Sequence, residues 1–262
     1  MSKHMIVLGG GESGVGAALL GNQLGYKVFV SDKGSIGTSF QKELDDHQIE
    51  WEQGQHTAAQ ILKADLVIKS PGISSDTPIV EALRSVEIPL LSEIEFASLH
   101  TDAVLIGITG TNGKTTTAML THHLLASAGK SVALAGNIGE SFAKAITIYS
   151  PDYWVLELSS FQLEDILSFH PRYAVMTSLT PDHLDRYNNS FDRYVDAKFC
   201  MLKNQKEEDY FIYDDTDYEI KLALERHKPK SQRIPYTDKK IKDKVFNSID
   251  MIRIDNPSLE GI

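Results

Sequence analysis

The chain has 262 residues, of which 42% are hydrophobic and 24% are charged, and its formal net charge is −10 at pH 7. This length and composition predict a soluble globular protein with one large domain or two smaller ones. The negative net charge argues against a nucleic-acid partner, because a phosphate backbone requires a broad basic surface. Since the sequence has no long apolar segment, we expect no signal peptide and no membrane span, and therefore a cytoplasmic protein.

The chain has one cysteine, Cys200. A lone cysteine excludes an internal disulfide and a cysteine zinc site, and it fits the reducing cytoplasm. In an apolar, periodic stretch such a residue is typical of packing. We expect the protein to be a monomer.

Short apolar runs alternate with helical patterns along the chain. This alternation is typical of parallel β-sheets with helices on their faces, an α/β fold. Two segments between strands, Val15–Gly25 and Thr115–Gly129, are predicted helices, the second with Leu120, Leu124 and Leu125 on one face. The predicted strands are His4–Leu8, Lys27–Val30, Asp65–Lys69, Val104–Ile108, Ser131–Ala135, Tyr153–Glu157, Tyr173–Thr177 and Asp209–Tyr213.

Two strands lead into glycine-rich turns, one near residue 9 and one near residue 109. We therefore predict two nucleotide-type α/β units, a Rossmann-like domain over residues 1–92 and a P-loop-type ATPase domain over residues 93–262. The boundary should lie near Leu91–Thr101. Near the end of the chain, Arg233–Tyr236 and Met251–Ile254 are predicted short strands.

The first turn, Gly9 to Gly14, has the sequence GGGESG, which fits G-x-G-x-x-G, and Asp32 ends the next strand. This pattern favours a dinucleotide, although a diphosphate on another nucleotide, such as a UDP-sugar, is equally compatible. A tight strand-to-helix turn also needs glycine for steric reasons alone. Ser70-Pro71-Gly72 follows the third predicted strand at the same sheet edge, where ligands of open α/β folds bind.

The second turn is the stronger motif. Residues 109–116 read TGTNGKTT directly after an apolar strand, although Ile108 stands where the usual pattern has its first glycine. Backbone amides of such a loop wrap a polyphosphate, Lys114 reaches its oxygens, and Thr115 can ligate Mg²⁺. We therefore predict a nucleoside triphosphate site.

Glu157 and His183 each follow a predicted strand and can point from the sheet edge towards this loop. A carboxylate and an imidazole beside Thr115 would form a divalent-metal site. The alternatives are a helix-capping carboxylate for Glu157 and a structural role for His183. Lys198, on a predicted helix from Phe191 to Leu202, would by itself be interpreted as a solvated surface lysine.

Four motifs together resemble the Mur ligases and their folylpolyglutamate-synthetase relatives. They are TGTNGKTT at 109–116, GNIG at 136–139, ELSSFQL at 157–163 and TPDHLDRY at 180–187, in the order which that family shows. The ELSSFQL version resembles the D-glutamate-adding branch. The resemblance runs from the first glycine turn to the last strand.

The resemblance implies a set of site residues. Lys114, His183 and Lys198 would be catalytic, and Lys198 would be carbamylated, which replaces an ammonium with an anion. Mg²⁺ would be held by Thr115, Glu157, His183 and the modified Lys198. ATP would contact Gly110, Thr111, Asn112, Gly113, Lys114, Thr115, Thr116 and Asn137.

The resemblance also implies that the first domain binds the uridine diphosphate of UDP-N-acetylmuramoyl-L-alanine. The diphosphate would meet Glu12, Ser13 and Gly14, although an acid at position 12 departs from the small or hydroxyl residues expected there. The uridine would lie near Asp32 and Lys33, the sugar-phosphate near Ser70, Pro71 and Gly72, and the muramoyl group near Asn137 and His183.

The implied reaction is ATP-dependent ligation, in which the alanyl carboxylate forms an acyl phosphate that the amine of D-glutamate displaces, a step of peptidoglycan precursor synthesis. The family has three domains, and Leu259–Ile262 resembles the start of its Leu-x-Gly-x-His-Asn segment. We therefore expect a chain that lacks the third domain and has little ligase activity alone. The alternatives are a sibling Mur or folylpolyglutamate-type ligase, or a non-catalytic module that binds NAD or a regulatory nucleotide.

Overall fold

The apolar runs form strands that are buried on both faces, as parallel sheets covered by helices require. In β1 (His4–Leu8) every residue after the first is buried, and β8 (Tyr153–Glu157) has the same pattern. The structure, a computed structural model, describes residues 2–74 and 76–236. The predicted strand Met251–Ile254 and the segment Leu259–Ile262 lie outside the described residues.

The first domain is a five-stranded parallel sheet with the strand order β3-β2-β1-β4-β5. Its remaining elements are α1 (Glu12–Gln23), β2 (Lys27–Asp32), α2 (Thr38–Asp46), β3 (Glu50–Gln53), α3 (Ala58–Ile61), β4 (Leu66–Lys69), α4 (Pro78–Ser85) and β5 (Leu90–Ser92). The helix α5 (Glu93–Ser98) follows β5 directly, with the Ser92 side chain accepting from the Glu95 amide as its N-cap.

The second domain is a six-stranded parallel sheet with the order β11-β10-β9-β6-β8-β7. Its other elements are β6 (Val104–Thr109), α6 (Lys114–Ser127), β7 (Val132–Gly136), α7 (Phe142–Ile148), α8 (Ser160–Leu163), β9 (Tyr173–Met176), α9 (Phe191–Phe199), β10 (Tyr210–Asp214), α10 (Tyr218–His227) and β11 (Gln232–Tyr236). Short 3₁₀ turns cover Leu184–Tyr187 and Cys200–Leu202. The two sheets confirm the predicted pair of α/β units.

All eight strands predicted before residue 230 are present, with ends displaced by at most two residues. Two strands were not predicted, β3 because it is mostly polar and β5 because it has three residues. The helix α6 differs from its predicted packing. Leu125 packs on the sheet, but Leu120 and Leu124 are 54% and 48% exposed, because the helix turns Ala118 inward instead.

The two domains pack through α1 and α7. A Cβ added to Gly16 of α1 would lie 1.9 Å from Ser141 Oγ, so glycine is needed for this close approach. Lys144 of α7 forms a 2.7 Å ion pair with Glu43 of α2, and buried Lys69 forms a 2.9 Å pair with Asp165. One cluster of buried apolar side chains runs through both domains.

The predicted division between residues 92 and 93 stays a prediction. In the structure Ser92 ends β5, the edge strand of the first sheet, and α5 contacts both α1 and α7. None of the helices in the described ranges is long and apolar enough to span a membrane.

Candidate functional site

The glycine-rich loop after β6 has a backbone that only glycine accommodates. Gly110 has φ +146°, and a Cβ there would lie 2.0 Å from Thr177 Oγ1. Gly113, at φ +81°, is the N-cap of α6 in the left-handed region. The loop therefore curves around the N-terminus of α6, where free backbone N–H groups and the helix dipole favour an anion.

Lys114 lies in the concave side of this loop. Its ammonium donates 3.0 Å hydrogen bonds to the carbonyl oxygens of Gly110 and Thr111. These contacts are local, within four residues, and hold the charge beside the loop amides. An incoming phosphate can exchange for the carbonyls, as a phosphate-binding lysine requires.

Two residues that follow β9 hold the loop through hydrogen bonds, and the sequence did not predict these contacts. Thr177 Oγ1 donates to the Asn112 carbonyl at 2.6 Å, and the Asn112 amide donates to Ser178 Oγ at 3.0 Å. The Thr111 amide donates to the Ser178 carbonyl at 2.8 Å. Because β9 pairs with β6, the carboxyl-edge rule would have identified Thr177 and Ser178, had the strand order been known.

Glu157 ends β8 with its side chain buried, at 1% exposure. Its Oε2 accepts from the Thr115 hydroxyl and its Oε1 from the Asn137 side-chain amide, both at 2.8 Å. The helix-capping alternative for Glu157 is wrong, because Ser159 caps α8. The structure thus brings together Thr115, Asn137 and Glu157, whose oxygens are of the kind that Mg²⁺ binds.

His183 lies further out, with 58% of its side chain exposed, and its imidazole Nε2 is 3.5 Å from Asp182 Oδ2. Its backbone is left-handed, at φ +49°, and it caps the 3₁₀ turn at Leu184–Tyr187. Its ring lies 5.3 Å from that of Phe161. Within residues 2–74 and 76–236, no three His, Cys, Asp or Glu side chains are grouped as metal ligands.

Lys198 is buried, at 2% exposure, so the interpretation as a solvated surface lysine is wrong. Its ammonium donates to the Gly110 carbonyl at 2.8 Å and lies 4.7 Å above the Tyr194 ring. The pKa of Lys198 is lowered to about 7, mainly by burial and in part by the nearby charge of Lys114, while Asp182 opposes the shift. A substantial fraction of the buried amine is therefore neutral near physiological pH.

The glycines of the first turn have different physical roles. Gly9 has φ +93°, and a Cβ on Gly14 would lie 1.8 Å from the Gly9 carbonyl oxygen, so both are required by the fold. Gly11 has φ −85°, and a Cβ there would meet nothing within 4 Å. A Cβ on Gly72 would likewise meet nothing within 4 Å. Steric requirements therefore explain the glycines at Gly9 and Gly14. The space beside Gly11 and Gly72, by contrast, is free for a ligand.

Two acids of the first domain contact the protein backbone. Glu12 Oε1 accepts from the Ser141 amide at 3.1 Å, so the carboxylate reaches across to the second domain. Asp32 Oδ2 accepts from the Gly10 amide at 2.6 Å and its Oδ1 from the Gly34 amide at 2.7 Å. Asp32 thus ties the glycine turn to the loop after β2, while Ser13 and Lys33 lie beside these two loops.

Two family models match this chain. The model of the Mur ligase middle domain matches residues 108–254, and that of the MurD N-terminal domain matches residues 5–79. The first match covers more than half of the chain. The chain belongs to the Mur ligase family.

In alignments of this Mur ligase chain with its curated relatives, about half of the aligned residues are identical. A UDP-N-acetylmuramoylalanine--D-glutamate ligase of Christiangramia forsetii is 47% identical over 94% of this chain and 56% of the relative. One from Bacteroides fragilis is 48% identical over 90% of this chain and 53% of the relative. The chain thus spans about half the length of the curated relatives it matches.

Solved Mur ligase structures share the fold. The UDP-N-acetylmuramate:L-alanyl-gamma-D-glutamyl-meso-diaminopimelate ligase from Neisseria meningitides has a TM-score of 0.63 at 19% identity, covering 89% of this chain and 78% of that one. The UDP-N-acetylmuramate-alanine ligase from Thermotoga maritima has a TM-score of 0.54 at 25% identity, covering 82% and 50%. The arrangement of two parallel-sheet α/β domains in this Mur ligase chain agrees with both.

Proposed function

We propose that this chain carries the ATP site and the UDP-substrate site of a ligase that adds D-glutamate to UDP-N-acetylmuramoyl-L-alanine. The observation that carries the proposal is the phosphate loop with Lys114 beside the buried, hydrogen-bonded pair of Thr115 and Glu157. The names of the relatives at 47% and 48% identity support the choice of substrate and amino acid. The reaction belongs to peptidoglycan precursor synthesis, in the cytoplasm.

The loop from Gly110 to Thr116 and the N-terminus of α6 would bind the triphosphate of ATP, while the Thr111 and Asn112 amides hold the loop to Ser178. Lys114 would leave its two carbonyl partners and neutralise charge on the transferred phosphoryl group. Such a site acts mainly through positioning and charge neutralisation. Asn112 and its brace from Thr177 and Ser178 would keep the loop amides aligned.

The residues present fit a magnesium ion. Thr115 and Glu157 supply hard oxygens, and Glu157 is a buried carboxylate whose hydrogen-bond partners, a hydroxyl and an amide, are both neutral. Mg²⁺, which Thr115, Glu157 and His183 would hold, would supply electrostatic stabilisation of the phosphoryl oxygens. A carbamate on Lys198 would add a negative charge beside the Gly110 carbonyl.

The first domain would bind the UDP-linked substrate largely through backbone groups. Gly11 precedes α1 and Gly72 ends the turn after β4, and each has free space where a side chain would otherwise stand. The α1 N-terminus would hold the diphosphate. The Glu12 carboxylate would still repel that charge, but the Ser141 amide holds it towards the second domain. Asp32 would hold the two loops that flank the uridine.

In the proposed reaction the alanyl carboxylate attacks the γ-phosphorus of ATP, ADP leaves, and the amine of D-glutamate displaces phosphate from the acyl phosphate. The two reactants that must meet are both anions. Lys114 and the loop amides would offset their repulsion, and Asn137 and His183 would lie beside the muramoyl group.

Calorimetric titration of this chain tests the proposal. We expect saturable binding of UDP-N-acetylmuramoyl-L-alanine, at least about tenfold tighter than binding of UDP-N-acetylmuramate, which lacks the alanine. We also expect binding of a non-hydrolysable ATP analogue that Lys114→Ala weakens at least about tenfold. Preferential binding of a longer UDP-muramoyl peptide or of dihydrofolate would favour a sibling ligase, and binding of NAD without ATP would favour a non-catalytic module.

A further inference from the structure

Arg186 crosses from the second domain to the first. Its guanidinium donates to the Pro71 carbonyl at 2.7 Å through one nitrogen and to the Gly72 carbonyl at 3.1 Å through the other. The side chain is half-buried. A planar fork with two parallel donors matches two successive carbonyls in a way that a lysine ammonium cannot. Arg186 therefore fixes the position of the Pro71–Gly72 turn relative to the second domain.

The same guanidinium packs on an aromatic ring. Its central carbon lies 4.6 Å from the centroid of Phe161, within the range of a cation–π contact. Phe161 stacks on Tyr187 at 5.8 Å with an interplanar angle of 13°. Phe161 lies four residues after Glu157, and Tyr187 lies four residues after His183. The ring pair thus joins the segments that carry these two site residues.

The contacts continue to the phosphate loop. Tyr187 meets Tyr194 edge to face at 5.6 Å, and both are buried, at 6% and 1% exposure. The Tyr194 hydroxyl lies 3.0 Å from Thr111 Oγ1, which also donates to the Thr180 carbonyl at 3.0 Å. A continuous set of packed groups therefore leads from Thr111 through three aromatic rings to Arg186 and the first-domain turn.

We propose that Arg186 is a positioning residue that couples the UDP-substrate site to the ATP site through Phe161, Tyr187 and Tyr194. The inference rests on the proposed function, because it takes the ligands of the two sites from it. Arg186 itself contacts no reacting group. It holds the turn where the sugar-phosphate would lie, and the aromatic rings hold Arg186 against the loop that binds ATP.

Coupling of this kind is reciprocal. If an occupied phosphate loop favours one arrangement of the rings and of Arg186, then an ordered Pro71–Gly72 turn favours the occupied loop by the same factor. Packed rings and a forked hydrogen bond have discrete arrangements, which is what transmission between two sites requires. Removal of the guanidinium should therefore abolish the coupling even where each ligand still binds.

The test measures four affinities by calorimetry on this chain. They are those of UDP-N-acetylmuramoyl-L-alanine and of a non-hydrolysable ATP analogue, each alone and with the other ligand saturating. In the unaltered chain we expect each ligand to tighten the other by roughly fivefold or more. In Arg186→Ala this mutual tightening should fall below about twofold. The affinity of the variant for the ATP analogue alone should stay within about twofold of that of the unaltered chain.

Three further variants sharpen the test. Arg186→Lys keeps the charge but not the fork, so it should restore only part of the coupling, which a purely structural role would not predict. Phe161→Leu should lower the coupling while leaving the Arg186 hydrogen bonds possible. Arg172→Ala, which removes an arginine that lies over the Tyr210 ring and pairs with Asp209, is the matched control and should leave the coupling unchanged.

Two results would overturn the inference. The first is that both ligands bind the unaltered chain but neither changes the affinity of the other. The second is that in Arg186→Ala each ligand still tightens binding of the other as much as in the unaltered chain. Failure of the unaltered chain to bind either ligand would instead refute the proposed function itself. The two failures are therefore distinguishable in the same titrations.

Discussion

The Thr115 hydroxyl donates a 2.8 Å hydrogen bond to Glu157 Oε2, which joins the first turn of α6 to the end of β8. The two residues are 42 positions apart, and they meet because β6 and β8 are parallel neighbours whose carboxyl ends share one edge. Asn137 at the end of β7 completes the contact by donating to Oε1. This geometry places a buried carboxylate beside the phosphate loop.

We predict that Glu157→Gln removes the magnesium dependence of ATP binding. Magnesium should tighten binding of an ATP analogue to the unaltered chain, and the change should weaken metal-dependent binding by about tenfold or more. In EDTA the affinity should be the same for both proteins, because loop amides and Lys114 remain. Fluorescence titration of a labelled nucleotide with and without magnesium measures this, and an equal magnesium effect in both proteins would contradict a metal role for Glu157.

The first glycine turn yields a paired prediction. Gly14→Ala places a Cβ 1.8 Å from the Gly9 carbonyl and should cost about 1–3 kcal/mol of unfolding free energy. Gly11→Ala meets nothing within 4 Å and should change stability by less than about 0.5 kcal/mol, yet weaken UDP-substrate binding about tenfold. Denaturant unfolding and calorimetric titration separate the two effects. If Gly11→Ala keeps full affinity, the turn does not approach the ligand.

Glu93 predicts a dependence of stability on pH. Its side chain is 1% exposed, and its Oε1 accepts from the Ala143 amide at 2.5 Å. The pKa of Glu93 is raised from 4.5 to about 7 by burial, which the Ala143 amide opposes and the charge of Glu12 reinforces. Between about pH 4.5 and pH 7 the folded chain holds a proton that the unfolded chain has released. The free energy of unfolding should therefore fall as pH rises through this window, by about 3 kcal/mol in all from this group.

Glu93→Gln keeps a neutral side chain at every pH, so this decline should disappear. Melting temperatures measured from about pH 5 to about pH 8 should fall in the unaltered chain relative to the variant. Glu208→Gln, an exposed position with the same charge change, is the control and should follow the unaltered chain. Parallel curves for the unaltered chain and Glu93→Gln would show that Glu93 is ionised throughout.

Lys198 should react with carbon dioxide. Only a neutral amine forms a carbamate, and with its pKa lowered to about 7 this lysine is largely neutral at pH 8, whereas an ordinary lysine is almost wholly charged. With isotopically labelled bicarbonate, we expect a carbamate resonance that grows between about pH 6 and about pH 8. Lys198→Arg should lack it. A resonance that persists in that variant would come from another amine.

The burial of Lys198 is a property that the local sequence does not predict. The residue stands in a predicted helix two positions after Asp196, and by itself it would be interpreted as an exposed surface lysine. In the structure the helix α9 packs beside the phosphate loop, so the side chain enters the core and its amine loses solvent. Burial against a distant segment leaves no local pattern, and only the family resemblance marked this residue.

The two glycine turns, the Gly-Lys-Thr segment and nearly all strands followed from the sequence, because each depends on local backbone sterics and on apolar periodicity. Only the tertiary structure decided which distant groups meet. It turned Glu12 towards Ser141, placed Thr177 and Ser178 under the phosphate loop, and brought Arg186 onto the Pro71–Gly72 turn. Those contacts depend on strand order and on domain packing, which bring together residues 65 to 129 positions apart and have no signature in neighbouring residues.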